Sequence, residues 1–188
     1  LTKEQLQAYE EMKTLALALF AQGMTTTVNA LTQLMRLHQI TCGHTKLDDG
    51  TEIDIPTNRV TELLSVIEET SGKAIIWSGY RHDIESIKLA LQKEYGMAAV
   101  GTYYGDTDDE ERRRVVREFQ DPDSELRFFV GNPRTGGYGL TLTAASTVVY
   151  FSNSFDLEVR LQSEDRAHRI GQTKSVTYVD LFVPGTID

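Results

Sequence analysis

The chain has 188 residues, of which 40% are hydrophobic and 25% charged, and these are the proportions of an ordinary globular domain. Its 19 Lys and Arg residues against 28 Asp and Glu residues give a net charge of −9, the opposite of the basic surface that holds DNA through its phosphates. Cys42 is the only cysteine, which excludes an internal disulfide, a cysteine metal site and a redox pair. Any contact with a nucleic acid must therefore be local.

Export and membrane insertion are not expected. No stretch approaches the roughly 18 to 20 uncharged apolar residues that span a bilayer, and the start, LTKEQLQAYEEMK, lacks the basic-then-apolar order of a signal peptide. We therefore expect an intracellular protein with no membrane partner. The acidic composition, without a basic tail or a nuclear-localisation run, favours the cytoplasm or nucleoid of a bacterial or virus-infected cell over the nucleus.

The first part of the chain is predicted to be helical. Apolar residues recur at helical spacing over residues 1–44, and a break near Gly23 divides the pattern into two helices. The polar stretch 47–58 contains an aspartate–glycine turn signal and a proline, which predict a loop or small hairpin. We expect residues 1–56 to form a helical lead-in and loop, and residues 57–188 to form the main domain.

Further along the chain, apolar runs alternate with helical patterns. The apolar runs lie at 73–77, 97–104, 126–131, 146–152 and 176–183, and the helical patterns between them lie at 82–95, 108–120 and 157–170. Apolar strands without polar alternation are typical of a parallel sheet that helices cover on both faces. The predicted fold class is therefore α/β, with a parallel sheet between two helical layers and a helical lead-in before it.

The clearest chemical pattern lies near the C-terminal end. Gln162, Arg166 and Arg169 are spaced at i, i+4 and i+7, which places them on one face of the helix predicted over residues 157–170. Arginine keeps its charge and offers several donors to phosphate oxygens, so two neighbouring guanidinium groups suit a site where charge develops on a phosphate. The spacing also fits a surface helix in which Glu164 and Asp165 pair with the arginines.

The segment QSEDRAHRIGQ, from Gln162 to Gln172, resembles motif VI of the Swi/Snf-type ATPases of helicase superfamily two nearly residue for residue. The resemblance implies that Arg166 and Arg169 are arginine fingers that reach ATP bound on a first RecA-like lobe. It makes Gln162 and Gln172 polar motif positions, and it makes Gln162 a nucleotide-binding residue. It makes His168 a packing or relay residue. No metal site is expected, because the four histidines show no ligand spacing.

The glycine-rich segment NPRTGGYGLTL resembles motif V of the same family, where this loop touches both the DNA backbone and the nucleotide site. By itself such a loop is also typical of a tight turn, since glycine allows unusual backbone conformations and close approach. The resemblance implies nucleotide contacts at Gly137 and Gly139 and a DNA contact at Thr141. The sequence departs from the family pattern at Pro133 and at Thr141, where the family often has asparagine.

Two more segments extend the resemblance over nearly the whole chain. KAIIWSGYRHDIESI is similar to motif IV, and GDT is similar to the glycine–threonine motif. These matches make Ser78, Arg81 and Thr107 candidates for contacts with DNA phosphates. Turn and capping roles are the alternative for each, and Thr107 followed by Glu110 has the spacing of a capping box.

A phosphate-binding GxxxxGK[ST] loop is missing, since the pair Gly72-Lys73 lacks both the earlier glycine and the following hydroxyl residue. The resemblance therefore implies the second lobe of a longer protein, whose N-terminal ATP-binding lobe lies outside this chain. ATP and Mg²⁺ would be held mainly by that other lobe. We expect neither on this chain alone, and no ATPase activity from it.

The function implied by the resemblance is ATP-driven translocation on DNA, with this lobe supplying arginine fingers and DNA-backbone contacts. The expected partners are the first RecA-like lobe and double-stranded DNA, and the isolated lobe is expected to be monomeric. One alternative is a non-catalytic module that keeps the fold and docks protein or DNA. A Rossmann-type nucleotide-binding enzyme is disfavoured by the lack of a G-x-G-x-x-G turn after the first strand.

Overall fold

The structure is a computed structural model, and it describes residues 1–23, 26–47, 49–135 and 139–188. The chain folds into two compact units. The first unit contains residues 1–59 and 182–188, and the second contains residues 60–181. Among the described helices, none has both the length and the apolar character needed to cross a bilayer.

The first unit consists of two helices and a small antiparallel hairpin. Its elements are α1 (Lys3–Ala21), α2 (Thr27–Cys42), β1 (His44–Lys46) and β2 (Glu52–Asp54). The last residues of the chain pack onto them, since the Ile187 N–H donates to the Tyr9 hydroxyl at 2.9 Å. The buried Asp188 carboxylate pairs with Arg59 and lies 3.2 Å from Nε2 of His38. This unit confirms the helical lead-in predicted from the sequence.

The second unit alternates strands and helices. Its elements are α3 (Arg59–Glu68), β3 (Lys73–Trp77), α4 (Arg81–Tyr95), a 3-10 turn (Met97–Ala99), β4 (Val100–Tyr103), α5 (Asp109–Gln120), β5 (Phe128–Gly131), β6 (Ala145–Tyr150), α6 (Leu157–Ala167) and β7 (Thr177–Asp180). The five strands form one sheet in the order β4-β5-β3-β6-β7, and every neighbouring pair is parallel. The α/β class with a parallel sheet is confirmed.

Strand β3 shows why the sheet is covered on both faces. Successive side chains of a strand point to opposite faces. Ala74 and Ile76 join the core formed with α3 and α4, whereas Ile75 and Trp77 join the core formed with α5 and α6. All four side chains are fully buried. The continuous apolar run in the sequence is the direct consequence of this double burial.

The start of α5 differs from the predicted capping box. The Asp108 carboxylate, rather than Thr107, is the cap, because its Oδ1 accepts the N–H groups of Glu110 and Glu111 at 3.0 and 2.9 Å. The Thr107 hydroxyl accepts the N–H of Tyr104 at 3.2 Å instead. A carboxylate satisfies two free N–H groups and complements the positive end of the helix, so it is preferred at this position.

The parallel sheet brings several loops to one edge. Because all five strands run in the same direction, their carboxyl ends meet there, and ligands of open α/β sheets bind beyond these ends. The loops after β3, β4 and β5 contain Ser78, Thr107 and Pro133 respectively, and Arg81 begins the helix after β3. The fold thus places segments of three predicted motifs at neighbouring strand ends.

Gly131 packs closely against the backbone of Tyr103 and the side chain of Trp77. A Cβ atom added there would be 2.6 Å from the Tyr103 carbonyl oxygen and 3.1 Å from Cζ3 of Trp77. We expect Gly131→Ala to lower the free energy of unfolding by roughly 1–3 kcal/mol, as overpacking does in other cores. Denaturant titration measures this. Gly105→Ala is the control, since its Cβ would meet no atom within 4 Å. Equal stability of the two variants contradicts the expectation.

Candidate functional site

A groove of about 450 Å³ lies between helix α6 and the connection from β5 to β6. Its lining consists of Gly139, Leu140, Gln162, Asp165, Arg166, His168, Arg169 and Ile170. Four of these residues, Gly139, Gln162, Arg166 and Arg169, were predicted as nucleotide-site residues from two separate segments. The structure therefore brings the glycine-rich segment and the arginine segment onto one surface.

Arg166 lies in the wall of this groove and is only 4% exposed. Its Nη2 donates to the Pro133 carbonyl oxygen at 2.9 Å, and its guanidinium carbon lies 5.2 Å from the centroid of the Trp77 ring. Burial lowers the pKa of Arg166 from its ordinary value, against the opposing influence of Tyr103 and Tyr150. The side chain remains a cation, because arginine does not lose its proton in proteins.

Arg169 occupies a different position from the one predicted by helical spacing. Helix α6 ends at Ala167, and His168 adopts the non-helical angles φ −95° and ψ 81°. Arg169 follows in the turn beyond the helix, where it is exposed and its Nη1 donates to the Thr141 hydroxyl at 3.1 Å. The predicted helical stripe through residue 170 is wrong: one guanidinium is buried on the helix and the other is exposed beyond it.

The turn after α6 is held by Gln172. Its Nε2 donates to the carbonyl oxygens of Thr143, Ala145 and Ala167 at 2.9, 3.0 and 3.2 Å. Its Oε1 accepts the Lys174 N–H at 3.0 Å. This single amide therefore ties the end of α6 to the segment that leads into β6, and it fixes the turn that carries Arg169.

The remaining groove residues are more exposed. Gln162 donates from Nε2 to Glu158 at 2.8 Å, one turn earlier on α6. His168 is exposed at the end of the helix, which does not fit a packing role within this lobe, and its relay role stays a prediction. Glu164 pairs with Arg160 at 2.6 Å, rather than with either of the two arginines of the segment as the surface-helix alternative proposed.

The glycine-rich connection between β5 and β6 includes Gly139, which lies just after residues 136–138. Gly139 is exposed on the groove with φ +109°, and a Cβ atom there would meet no atom within 4 Å. Gly139 thus leaves its backbone open to an approaching ligand, in a conformation that glycine favours. Gly137, the other predicted nucleotide contact, lies outside the described residues.

Ser78 lies at the centre of a buried hydrogen-bond network. Its hydroxyl donates to Oδ2 of Asp83 at 2.7 Å and lies 2.8 Å from the Ser152 hydroxyl. Ser152 in turn accepts the Gly79 N–H at 2.9 Å, and the Asn132 amide donates to the Gly79 carbonyl oxygen at 3.1 Å. The Ser78 side chain is fully buried, so it fixes the loop after β3 rather than presenting a hydroxyl at the surface.

The other predicted DNA contacts are at least partly accessible. Arg81 is the first residue of α4, its side chain is 70% exposed, and it pairs with Asp106 at 2.5 Å. Thr107 and Thr141 are half-buried, and the Thr141 hydroxyl already accepts from Arg169. The ion pair from Arg81 joins the loop after β3 to the loop after β4. That Arg81, Thr107 and Thr141 contact DNA stays a prediction.

Comparison with known proteins places this geometry in a family. The model of the helicase conserved C-terminal domain matches residues 57–171, which is more than half of the chain. The chain belongs to this family. Within it, the chain is a C-terminal lobe of the Swi/Snf type of superfamily two, which confirms the resemblance of its motifs and removes the Rossmann-type alternative.

The similar proteins are much longer than this helicase C-terminal domain. Human "Chromatin-remodeling ATPase INO80" is 35% identical over 129 residues, which cover 67% of this chain and 8% of that protein. Human "SWI/SNF-related matrix-associated actin-dependent regulator of chromatin subfamily A member 1" is 28% identical over 182 residues, covering 89% of the chain and 17% of that protein. The chain therefore corresponds to a small part of these relatives.

A solved structure extends the similarity across both units of the chain. The Sulfolobus solfataricus SWI2/SNF2 ATPase core in complex with dsDNA has a TM-score of 0.76 and 25% identity, covering 97% of this chain and 39% of that one. The relatives named here come from human and this structure from an archaeon. The comparisons thus give no support to the expected bacterial or viral setting.

The sequence analysis did not predict that three further residues support the groove and the loops beside it. Trp77 and Pro133 contact the Arg166 guanidinium, and Asn132 links the loops after β3 and β5. Each lies far along the chain from its partner, so no local spacing relates them. Their positions could have indicated a site, because all three residues lie at or just after the end of an apolar strand.

Alanine substitution of Gln162 and of Gln172 is expected to lower the free energy of unfolding by different amounts. Gln172→Ala removes the donor from three carbonyl oxygens, and at about 1 kcal/mol per hydrogen bond it should lower the free energy of unfolding by roughly 2–3 kcal/mol. Gln162→Ala, on a more exposed face, should cost less than about 0.5 kcal/mol. Thermal unfolding of both variants checks this, and a larger loss from Gln162→Ala contradicts the assigned roles.

Proposed function

We propose that this helicase C-terminal domain is the second lobe of a Swi/Snf-type DNA-dependent ATPase. The proposed RecA-like lobe comprises residues 57–188 after a lead-in of residues 1–56, with residues 182–188 packed in the compact unit of the lead-in. The observation that carries the proposal is the groove, where Arg166, Arg169 and the open backbone of Gly139 share one surface. Two arginines beside an accessible backbone suit an anionic ligand, and the planar guanidinium fork matches the geometry of phosphate and carboxylate groups.

The groove fits the role of an arginine-finger site. The exposed Arg169 guanidinium uses one N–H on Thr141, and a guanidinium has five donors in a planar fork. Fingers of this kind neutralise the charge that spreads over the phosphoryl oxygens in the transition state. In the full-length protein, the first lobe would hold ATP and Mg²⁺, and the metal would supply further neutralisation of phosphate charge. The residues of this chain supply the arginines from the opposite side.

Double-stranded DNA is the second proposed partner, since a similar archaeal core is described in complex with dsDNA. Arg81 supplies an exposed cation at the strand ends, and Thr107 and Thr141 supply hydroxyl groups. Ser78 acts by holding the backbone of the loop after β3. A net charge of −9 limits these contacts to a few phosphates, so most of the affinity comes from the rest of the protein.

The setting of the proposed ATPase is intracellular and includes the nucleus, because the relatives named above are chromatin-remodeling or chromatin-regulating proteins. The 188-residue chain alone is proposed to be monomeric, and its expected partner is the first RecA-like lobe of the same protein. By itself it lacks a phosphate-binding loop of the GxxxxGK[ST] type, so it should hydrolyse no ATP.

Arg169→Ala and Arg166→Ala test the arginine-finger proposal in the full-length protein. Each change should lower kcat by on the order of a thousandfold, because the interaction is made mainly in the transition state. The affinity for ATP should fall far less. Lysine should restore little turnover, since it lacks the planar fork. Steady-state ATPase rates, nucleotide titrations and thermal midpoints are measured on the same preparations.

Arg113→Ala, at an exposed position on α5, is the matched control and should keep the turnover of the unchanged protein. If the variants at Arg166 and Arg169 fold and hydrolyse ATP as fast as this control, the arginine-finger proposal is wrong. Turnover by the purified 188-residue chain that survives Arg166→Ala contradicts the two-lobe mechanism.

Duplex DNA binding by the 188-residue chain should be weak and should fade as salt is added, as expected when few phosphates are contacted. Arg81→Gln should reduce the slope of log affinity against log salt by about one. Lys93→Gln is the matched control, because it removes a charge from the opposite end of the same helix. Fluorescence anisotropy at several salt concentrations measures both slopes. Nanomolar, salt-insensitive binding contradicts the proposed mode.

A further inference from the structure

The buried Arg166 guanidinium needs a defined support if it is to act in the groove. Of its contacts, one is the Pro133 carbonyl oxygen at 2.9 Å and another is the Trp77 ring at 5.2 Å. The second distance is within the range of cation–π attraction, which is strongest for tryptophan and for desolvated cations. Neither of these two partners carries a charge, so neither cancels the positive charge of the guanidinium.

The Trp77 ring is itself held in one position. It is fully buried at the end of β3, which pairs with β5 and β6 on its two sides. The ring packs edge to face against Phe129, with centroids 5.7 Å apart and planes at 74°. Gly131 leaves the space for it, since a Cβ there would lie 3.1 Å from Cζ3. The sheet therefore defines where the face of the indole lies.

We propose that Trp77 is a positioning residue of the nucleotide site, with its indole face and the Pro133 carbonyl holding the Arg166 guanidinium ready in the wall of the groove. This inference rests on the proposed arginine-finger function. It assigns different roles to the two arginines. Arg166 is preorganised by the sheet, whereas Arg169 stands exposed on the turn beyond α6 and becomes ordered when the ATP-bearing lobe closes.

Intrinsic fluorescence tests the contact directly, because Trp77 is the only tryptophan of the 188-residue chain. Arg166→Leu should shift the Trp77 emission, since it removes a charge from the face of the indole. Arg166→Lys should shift it less, because a cation remains there. Arg169→Leu is the matched control and should leave the emission unchanged. An unshifted emission in the Arg166→Leu protein, or an equal shift from Arg169→Leu, overturns the proposal.

Turnover of the full-length protein tests the consequence for the reaction. Trp77→Leu should lower kcat about tenfold or more while the KM for ATP changes little, because small misplacement of a catalytic group costs one to two orders of magnitude. Trp77→Phe keeps an aromatic face and should retain most of kcat. Phe119→Leu controls for stability, since it removes another fully buried ring from the same core.

The outcomes separate the two proposals. If Trp77→Leu keeps the kcat of Phe119→Leu while the variants at Arg166 and Arg169 are slow, the positioning role is wrong and the arginine-finger function stands. If the arginine variants are as fast as the unchanged protein, the proposed function itself fails. Should Trp77→Leu not fold, Trp77→Phe and the fluorescence of Arg166→Leu decide the matter, and equal emission with and without the guanidinium overturns the inference.

Discussion

The double burial of strand β3 is the constraint on which the rest of the site depends. Strand β3 pairs with β5 on one side and with β6 on the other, and helices cover both faces of the sheet. Residues 74–77 are therefore fully buried. Displacing such a strand exposes two cores at once, which makes its end point rigid. Trp77 ends this strand and Ser78 follows it. The support of Arg166 and the buried hydrogen-bond network of the loop after β3 both start from that fixed point.

Several arginines of the chain are paired with carboxylates. Arg114 bonds to Glu111 and Glu118 along α5, and Arg160 pairs with Glu164 and Asp180. Burial acts to raise the pKa of Asp180, but hydrogen bonds from Arg160 and Asn153 outweigh it and lower this pKa. Such partly exposed pairs add little stability. Their consequence is electrostatic: each pair offsets a positive charge that could otherwise attract a polyanion.

The sequence predicts the α/β class and the parallel sheet correctly because both rest on burial, which leaves a continuous apolar run such as that of β3. It fails where a distant group decides local structure. Helical spacing continues to Arg169, but the helix ends at Ala167, and Gln172 bonds to carbonyl oxygens there and near β6. The partners of Arg166 lie 33 and 89 residues away. Only the sheet order brings them together.

The unequal placement of the two arginines has a physical rationale if the groove is, as proposed, one half of a site shared between two lobes. A flexible exposed arginine loses side-chain entropy on binding, whereas a buried one has already lost it during folding. Burial of a guanidinium is unfavourable unless its donors and charge are compensated, and a carbonyl oxygen and an indole face both contribute to this without cancelling the charge on which phosphate stabilisation depends. In the proposed function, Trp77 and Pro133 therefore help to order Arg166 before ATP binds. Arg169 is held at the surface through the Thr141 hydroxyl, so in the proposed function it can still adjust when the other lobe closes.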